Sequence, residues 1–133
     1  MQVPITALYA GILAIYSIWL SSRAGLMRGK VGISILHGDN MELAEKIRRH
    51  QNFVEYVPLA LILIGALELN GGSAMLIHGL GAVLVLARVA HAKGLHHDNI
   101  KHPLRAVGAA GTALVTVVAG VAAIWNSVDT LVM

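Results

Sequence analysis

The sequence predicts an all-α integral membrane protein, a bundle of four transmembrane helices in one domain spanning residues 1–133. Three observations lead there. The chain has 133 residues, enough for one domain of ordinary size. Of these, 56% are apolar and 13% charged, and the 14 glycines bring the weakly polar share to about two thirds, above the roughly 45–50% usual in soluble domains. Finally, the apolar residues fall into four long runs, more than a small domain could bury in water, and the mean hydropathy is +0.71. A soluble globular domain is excluded.

The first helix is expected over about residues 3–22. Val3 to Leu20 is an uncharged run of 18 residues, close to the roughly 20 that cross a bilayer. No Lys or Arg precedes it and it exceeds the apolar core of a signal peptide, so a retained helix is expected. Residues 21–38, polar and glycine-bearing, read as a connection. Asp39 or Asn40 can then cap a helix over about 40–69, whose first turns carry Glu42 with Lys46 and Glu45 with Arg49 at i,i+4. At 1.5 Å per residue this helix is roughly 45 Å long, so its first third must protrude from a hydrocarbon core of roughly 30 Å. Pro58 predicts a kink near Val54.

Asn70-Gly71-Gly72-Ser73 reads as a tight turn, with Ser73 a cap for a third helix over about 73–92. A polar loop from Lys93 to His102 leads to Pro103, a favoured first-turn residue, and a fourth helix over about 103–126, in which Ala106 to Trp125 carries no charge. Along it Gly108, Thr112, Thr116 and Gly120 form a small-residue ridge, the mark of a close helix–helix contact.

All ten Lys and Arg residues lie within 23–49 and 88–105. By the positive-inside rule both connections face the cytoplasm and both termini the other side. The pI near 9.6 is thus a topology signal, and no nucleic-acid partner is expected. With no cysteine there is no disulfide, thiolate metal site or cysteine nucleophile, so any thiol must arrive with a substrate.

Ionisable residues in apolar helices are costly and need a partner or a task. Arg48, Asn52 and Glu55 form one stripe on helix 2. Mirrored through the turn, Glu55 comes level with Arg88 and Asn52 with His91, while Arg105 opens helix 4 from the same side. One reading is a Glu55–Arg88 ion pair that fixes helix register. The other is a cation-rich pocket for an anionic ligand, since guanidinium forks bind carboxylates in bidentate fashion. Tyr56 is either an interfacial anchor or a pocket wall. His91, His96, His97 and His102 lack the spacing of a known zinc motif, and no metal is expected.

The run Arg48-Arg49-His50-Gln51-Asn52-Phe53-Val54-Glu55-Tyr56-Val57-Pro58, with Arg88-Val89-Ala90-His91 and His102-Pro103-Leu104-Arg105 downstream, resembles the MAPEG family (membrane-associated proteins in eicosanoid and glutathione metabolism). Gly38-Asp39-Asn40 and the glycine turn after Glu68-Leu69-Asn70 look like its bacterial branch. The resemblance implies a homotrimer in the bacterial inner membrane with glutathione as co-substrate, bound between subunits. It implies glutathione contacts by Arg48, Asn52, Glu55, Tyr56 and Arg88, with His91 beside them, and activation of the thiol by Arg105. The expected function is a glutathione-dependent transferase or peroxidase acting on a lipophilic small-molecule substrate that enters from the membrane lipid. The helix 3 tyrosines of the eicosanoid-synthesising members are replaced here by Ala92-Lys93-Gly94-Leu95-His96, and Ala106 stands where one branch has serine. Two other functions remain open, a proton-coupled multidrug exporter using Glu55 and a catalytically silent scaffold.

Overall fold

A computed structural model describes residues 2–132, apart from the side chains of 129 and 130. The elements are α1 (Pro4–Val31), α2 (Met41–Leu69), α3 (Ala74–Gly94) and α4 (Pro103–Val132), with no strand among the described residues. Each helix is long and apolar enough to cross a membrane. Helix α1 packs on α2 and α3, α4 packs on the same two, and among the described residues α1 and α4 do not pack on each other. The bundle is therefore a rhombus with α2 and α3 across its short diagonal. Leu13, Phe53, Ala60, Ile64, Leu84 and Val115 meet at its centre. Large side chains such as Ile15, Ile62, Leu86 and Val117 point outward from all four helices, the arrangement that a hydrocarbon solvent permits.

Helix α1 is longer than expected. It continues through Gly25 and Gly29 to Val31, about 42 Å, where Gly32 takes the left-handed conformation (φ 71°) and donates its N–H to the Arg28 carbonyl at 2.9 Å. An isolated glycine costs a helix only about 1 kcal/mol. Arg28 and Lys30 suit the negative end of the helix dipole, and the Arg28 guanidinium ties down the connection through the carbonyls of Ile33 and Leu36. Residues 21–31 thus belong to the helix rather than to a loop.

Helix α2 is capped by Asn40, whose side-chain oxygen accepts from Leu43 N–H at 2.9 Å, and stays helical through Pro58. The two expected pairs form, Glu42 with Lys46 and Glu45 with Arg49. Gly71 takes the left-handed turn position (φ 75°), while Ser73 precedes α3 without a side-chain capping bond. The sequence does not disclose one further tie. The Glu68 carboxylate, at the end of α2, accepts from the N–H groups of Ile5 (2.9 Å) and Thr6 (2.8 Å), so it caps α1 across the bundle.

Candidate functional site

Helices α3 and α4 approach closely at the end of the bundle that carries the basic residues. A Cβ on Gly108 would lie 2.4 Å from the His91 nitrogen and 2.5 Å from the Ala87 oxygen, and one on Gly94 would lie 2.2 Å from the Arg105 nitrogen. Glycine is thus required at both positions, and the contacts set the backbone of Arg105 against α3 and place Thr112 opposite Arg88.

Arg88 is 2% exposed, in the middle of the bundle. Its Nη2 donates to Asn52 Oδ1 at 2.6 Å and its Nη1 to Thr112 Oγ1 at 3.4 Å, while the guanidinium carbon lies 5.8 Å from the Phe53 ring centre. The Thr112 hydroxyl donates in turn to the Gly108 carbonyl. No carboxylate lies within ion-pair distance of Arg88 among the described residues, and the buried Arg88 Nε and His91 Nδ1 lack hydrogen-bond partners.

These groups form the inner wall of a lateral groove of about 470 Å³. Asn52 and Tyr56 contribute from α2, Arg88 and His91 from α3, and Thr112 and Thr116 from α4. Leu59, Ala109, Ala113 and Val117 make the remainder apolar. The groove opens away from α1, and Tyr56 at its rim is half exposed.

The Glu55–Arg88 ion pair, one of the two readings of the helix 2 stripe, does not form. Glu55 Oε1 instead accepts from Arg48 Nη1 at 2.7 Å, with both side chains about half exposed. The physical reason is azimuth. Mirror counting through the turn fixes depth, but Glu55 lies about 60° around α2 from Asn52, so Asn52 faces the bundle and Glu55 faces out. Arg105 is partly buried at the start of α4 and makes no side-chain hydrogen bond among the described residues. Arg88, Arg105 and Arg48 all lie within electrostatic reach of His91. The structure thus brings Asn52, Tyr56, Arg88 and His91 into one groove and leaves the Arg48–Glu55 pair and Arg105 outside its lining.

The MAPEG family model matches residues 6–125, which include every residue of the groove. This chain belongs to the MAPEG family. It is 32% identical over 114 residues to the inner membrane protein YecN of Escherichia coli K12, covering 86% of this chain and 87% of YecN. The YecN of the O6:H1 strain matches to the same extent. No solved structure matches the chain. With four apolar helices and this membership, this MAPEG chain is an integral membrane protein of the glutathione and eicosanoid metabolism family.

Thr112 and Thr116 also line the groove, although the sequence pattern points only to packing for both. The available signal was their position, each a polar residue on the small-residue ridge facing the arginine of α3.

Proposed function

We propose that this MAPEG protein is a glutathione-dependent transferase or peroxidase that acts on lipophilic electrophiles or hydroperoxides. The observation that carries this reading is the Arg88 guanidinium, buried beside an apolar groove with Asn52 and Thr112 as neutral partners and, among the described residues, no carboxylate to balance it. An embedded cation of this kind calls for an anion. Glutathione offers two carboxylates and one ammonium. Arg88 and His91 suit one carboxylate, and the Arg48–Glu55 pair suits the zwitterionic amino-acid end.

Arg105 then acts on the sulfur. A guanidinium near a thiol favours its anion, and an unperturbed thiol of pKa about 8.5 is mostly protonated at neutral pH. The thiol proton leaves to water, and the thiolate displaces a leaving group from an electrophile, forming a thioether. With a hydroperoxide, two glutathiones are oxidised to the disulfide while the peroxide is reduced to an alcohol and water. The apolar part of the groove, lined by Leu59, Ala113 and Val117, accepts the lipophilic partner directly from lipid.

A homotrimer completes the site, because the outward face of α2 with Arg48, Glu55 and Tyr56 is open in the single chain. The two basic connections face the cytoplasm of a bacterial inner membrane, the membrane named for the YecN relatives. Glu55, the carboxylate a drug exporter would use, is engaged by Arg48, and no observation favours that alternative. The test is calorimetric titration of the purified protein with glutathione, together with turnover on an aryl halide and a lipid hydroperoxide. Saturable binding with turnover of either substrate is expected, and absence of both binding and turnover overturns the proposal.

A further inference from the structure

We propose that Glu45, His96, His97 and Asp98 form a binding site for a divalent transition-metal ion of the zinc class, separate from the groove, that clips the α3–α4 connection onto α2. In the sequence the histidines of this connection have no acidic partner at motif spacing. The fold supplies one from the protruding first turns of α2. One ligand atom each from Glu45, His97 and Asp98 lies within 4.8 Å of the others. His96 Nδ1 is 3.7 Å from Glu45 Oε2 and adds a fourth donor.

The chemistry of the set is specific. His97 donates its backbone N–H to Glu45 Oε1 (2.9 Å) and its Nδ1 lies 2.6 Å from the same oxygen, so the imidazole is held against the carboxylate and a bound ion takes the place of the proton between them. Among the described residues the Asp98 carboxylate has no hydrogen bond or ion pair, yet it sits beside the carboxylate of Glu45. Two adjacent carboxylates repel, and a dication between them removes that repulsion. Arg49 takes Glu45 Oε2 at 3.1 Å, which orients the carboxylate so that Oε1 faces His97 and Oε2 also lies toward His96. Two imidazoles and two carboxylates make a nitrogen–oxygen set suited to Zn²⁺ and its neighbours rather than to Mg²⁺ or Ca²⁺. Tetrahedral ligands at about 2.0–2.1 Å from zinc stand roughly 3.3 Å apart, a closure within reach of the exposed side chains of His97 and Asp98. Arg49 already anchors this connection through the Leu95 carbonyl. An ion at residues 96–98 therefore fixes the segment that delivers Pro103 and Arg105 to the start of α4.

The test uses the full chain, purified without a histidine tag, stripped with EDTA and titrated calorimetrically with zinc chloride and separately with magnesium chloride. One saturable zinc site per chain is expected, of micromolar or tighter affinity, with no magnesium binding. Asp98→Asn, which removes a carboxylate with no hydrogen bond or ion pair among the described residues, and His97→Gln should each weaken zinc by tenfold or more. His78→Gln, on the other end of the bundle, should leave it unchanged. Zinc should also slow amide exchange over residues 95–102. Absence of saturable zinc binding, an unaltered affinity in Asp98→Asn, or bound zinc without protection of 95–102 overturns the proposal. None of these readouts depends on glutathione.

Discussion

The buried Arg88–Asn52 bond separates a structural charge from a ligand-holding one. Asn52→Leu removes the acceptor of a 2.6 Å charge-assisted bond and leaves the guanidinium in place at 2% exposure. Stranding a buried charge costs about 3–5 kcal/mol in soluble cores, whereas hydrogen bonds inside membrane proteins average about 0.6 kcal/mol and reach about 1.7. The Thr112 contact, at 3.4 Å, is too long to compensate fully, so the expected loss lies between these limits, at about 2–3 kcal/mol. Arg88→Met instead strands Asn52 Oδ1, at about 1–2 kcal/mol. In the double variant neither polar group is left alone, and the two losses should fall short of additivity by about 1–2 kcal/mol, read as reversible unfolding in mixed micelles. Glutathione affinity should remain at least tenfold weaker in the double variant even though its stability recovers. A coupling energy below about 0.5 kcal/mol would show that the bond does not organise the bundle. Undiminished glutathione binding by the double variant would refute Arg88 as its anchor.

Other consequences follow from single positions. Arg105→Ala should lose most of the glutathione-dependent rate while its melting temperature stays near that of the parent, because the side chain makes no hydrogen bond among the described residues; thermal unfolding beside initial rates checks both. Gly108→Ala places a Cβ 2.4 Å from the His91 nitrogen, which forces α3 and α4 apart by about 1 Å and should cost about 1–3 kcal/mol, measured by the same unfolding assay. Glu68→Ala removes the cap on α1 and should cost about 1 kcal/mol by analogy with N-cap deletions, with faster amide exchange at Ile5 and Thr6 and none of this change at α4.

The number of helices, the Asn40 cap, the Glu42–Lys46 and Glu45–Arg49 pairs and the turn at Gly71 were legible because each depends on neighbours within four residues or on the total apolar length of a run. The end of α1 is not legible because Gly25 and Gly29 resemble loop signals, while the Arg28 contacts that tie down the segment after it, with the carbonyls of Ile33 and Leu36, depend on how that segment folds back. Part of the groove's lining was also legible. Asn52, Tyr56, Arg88 and His91 were singled out as polar residues in apolar surroundings, and they share the groove. Thr112 and Thr116 were not, because a threonine in an apolar helix commonly satisfies itself on the carbonyl one turn back, as both do here.

Residue types and their order along the chain were enough to determine a membrane-spanning four-helix protein with its basic residues at one end, since hydrophobic length and charge placement are properties of each segment alone. Which groups pair was decided by the tertiary structure, with Arg88 turning to Asn52, Glu55 to Arg48, Glu68 to the start of α1 and Glu45 to the α3–α4 connection. Depth along a helix can be counted from a turn, but the rotation of each helix about its axis depends on how closely its neighbours approach, and glycines at 94 and 108 set that approach between α3 and α4.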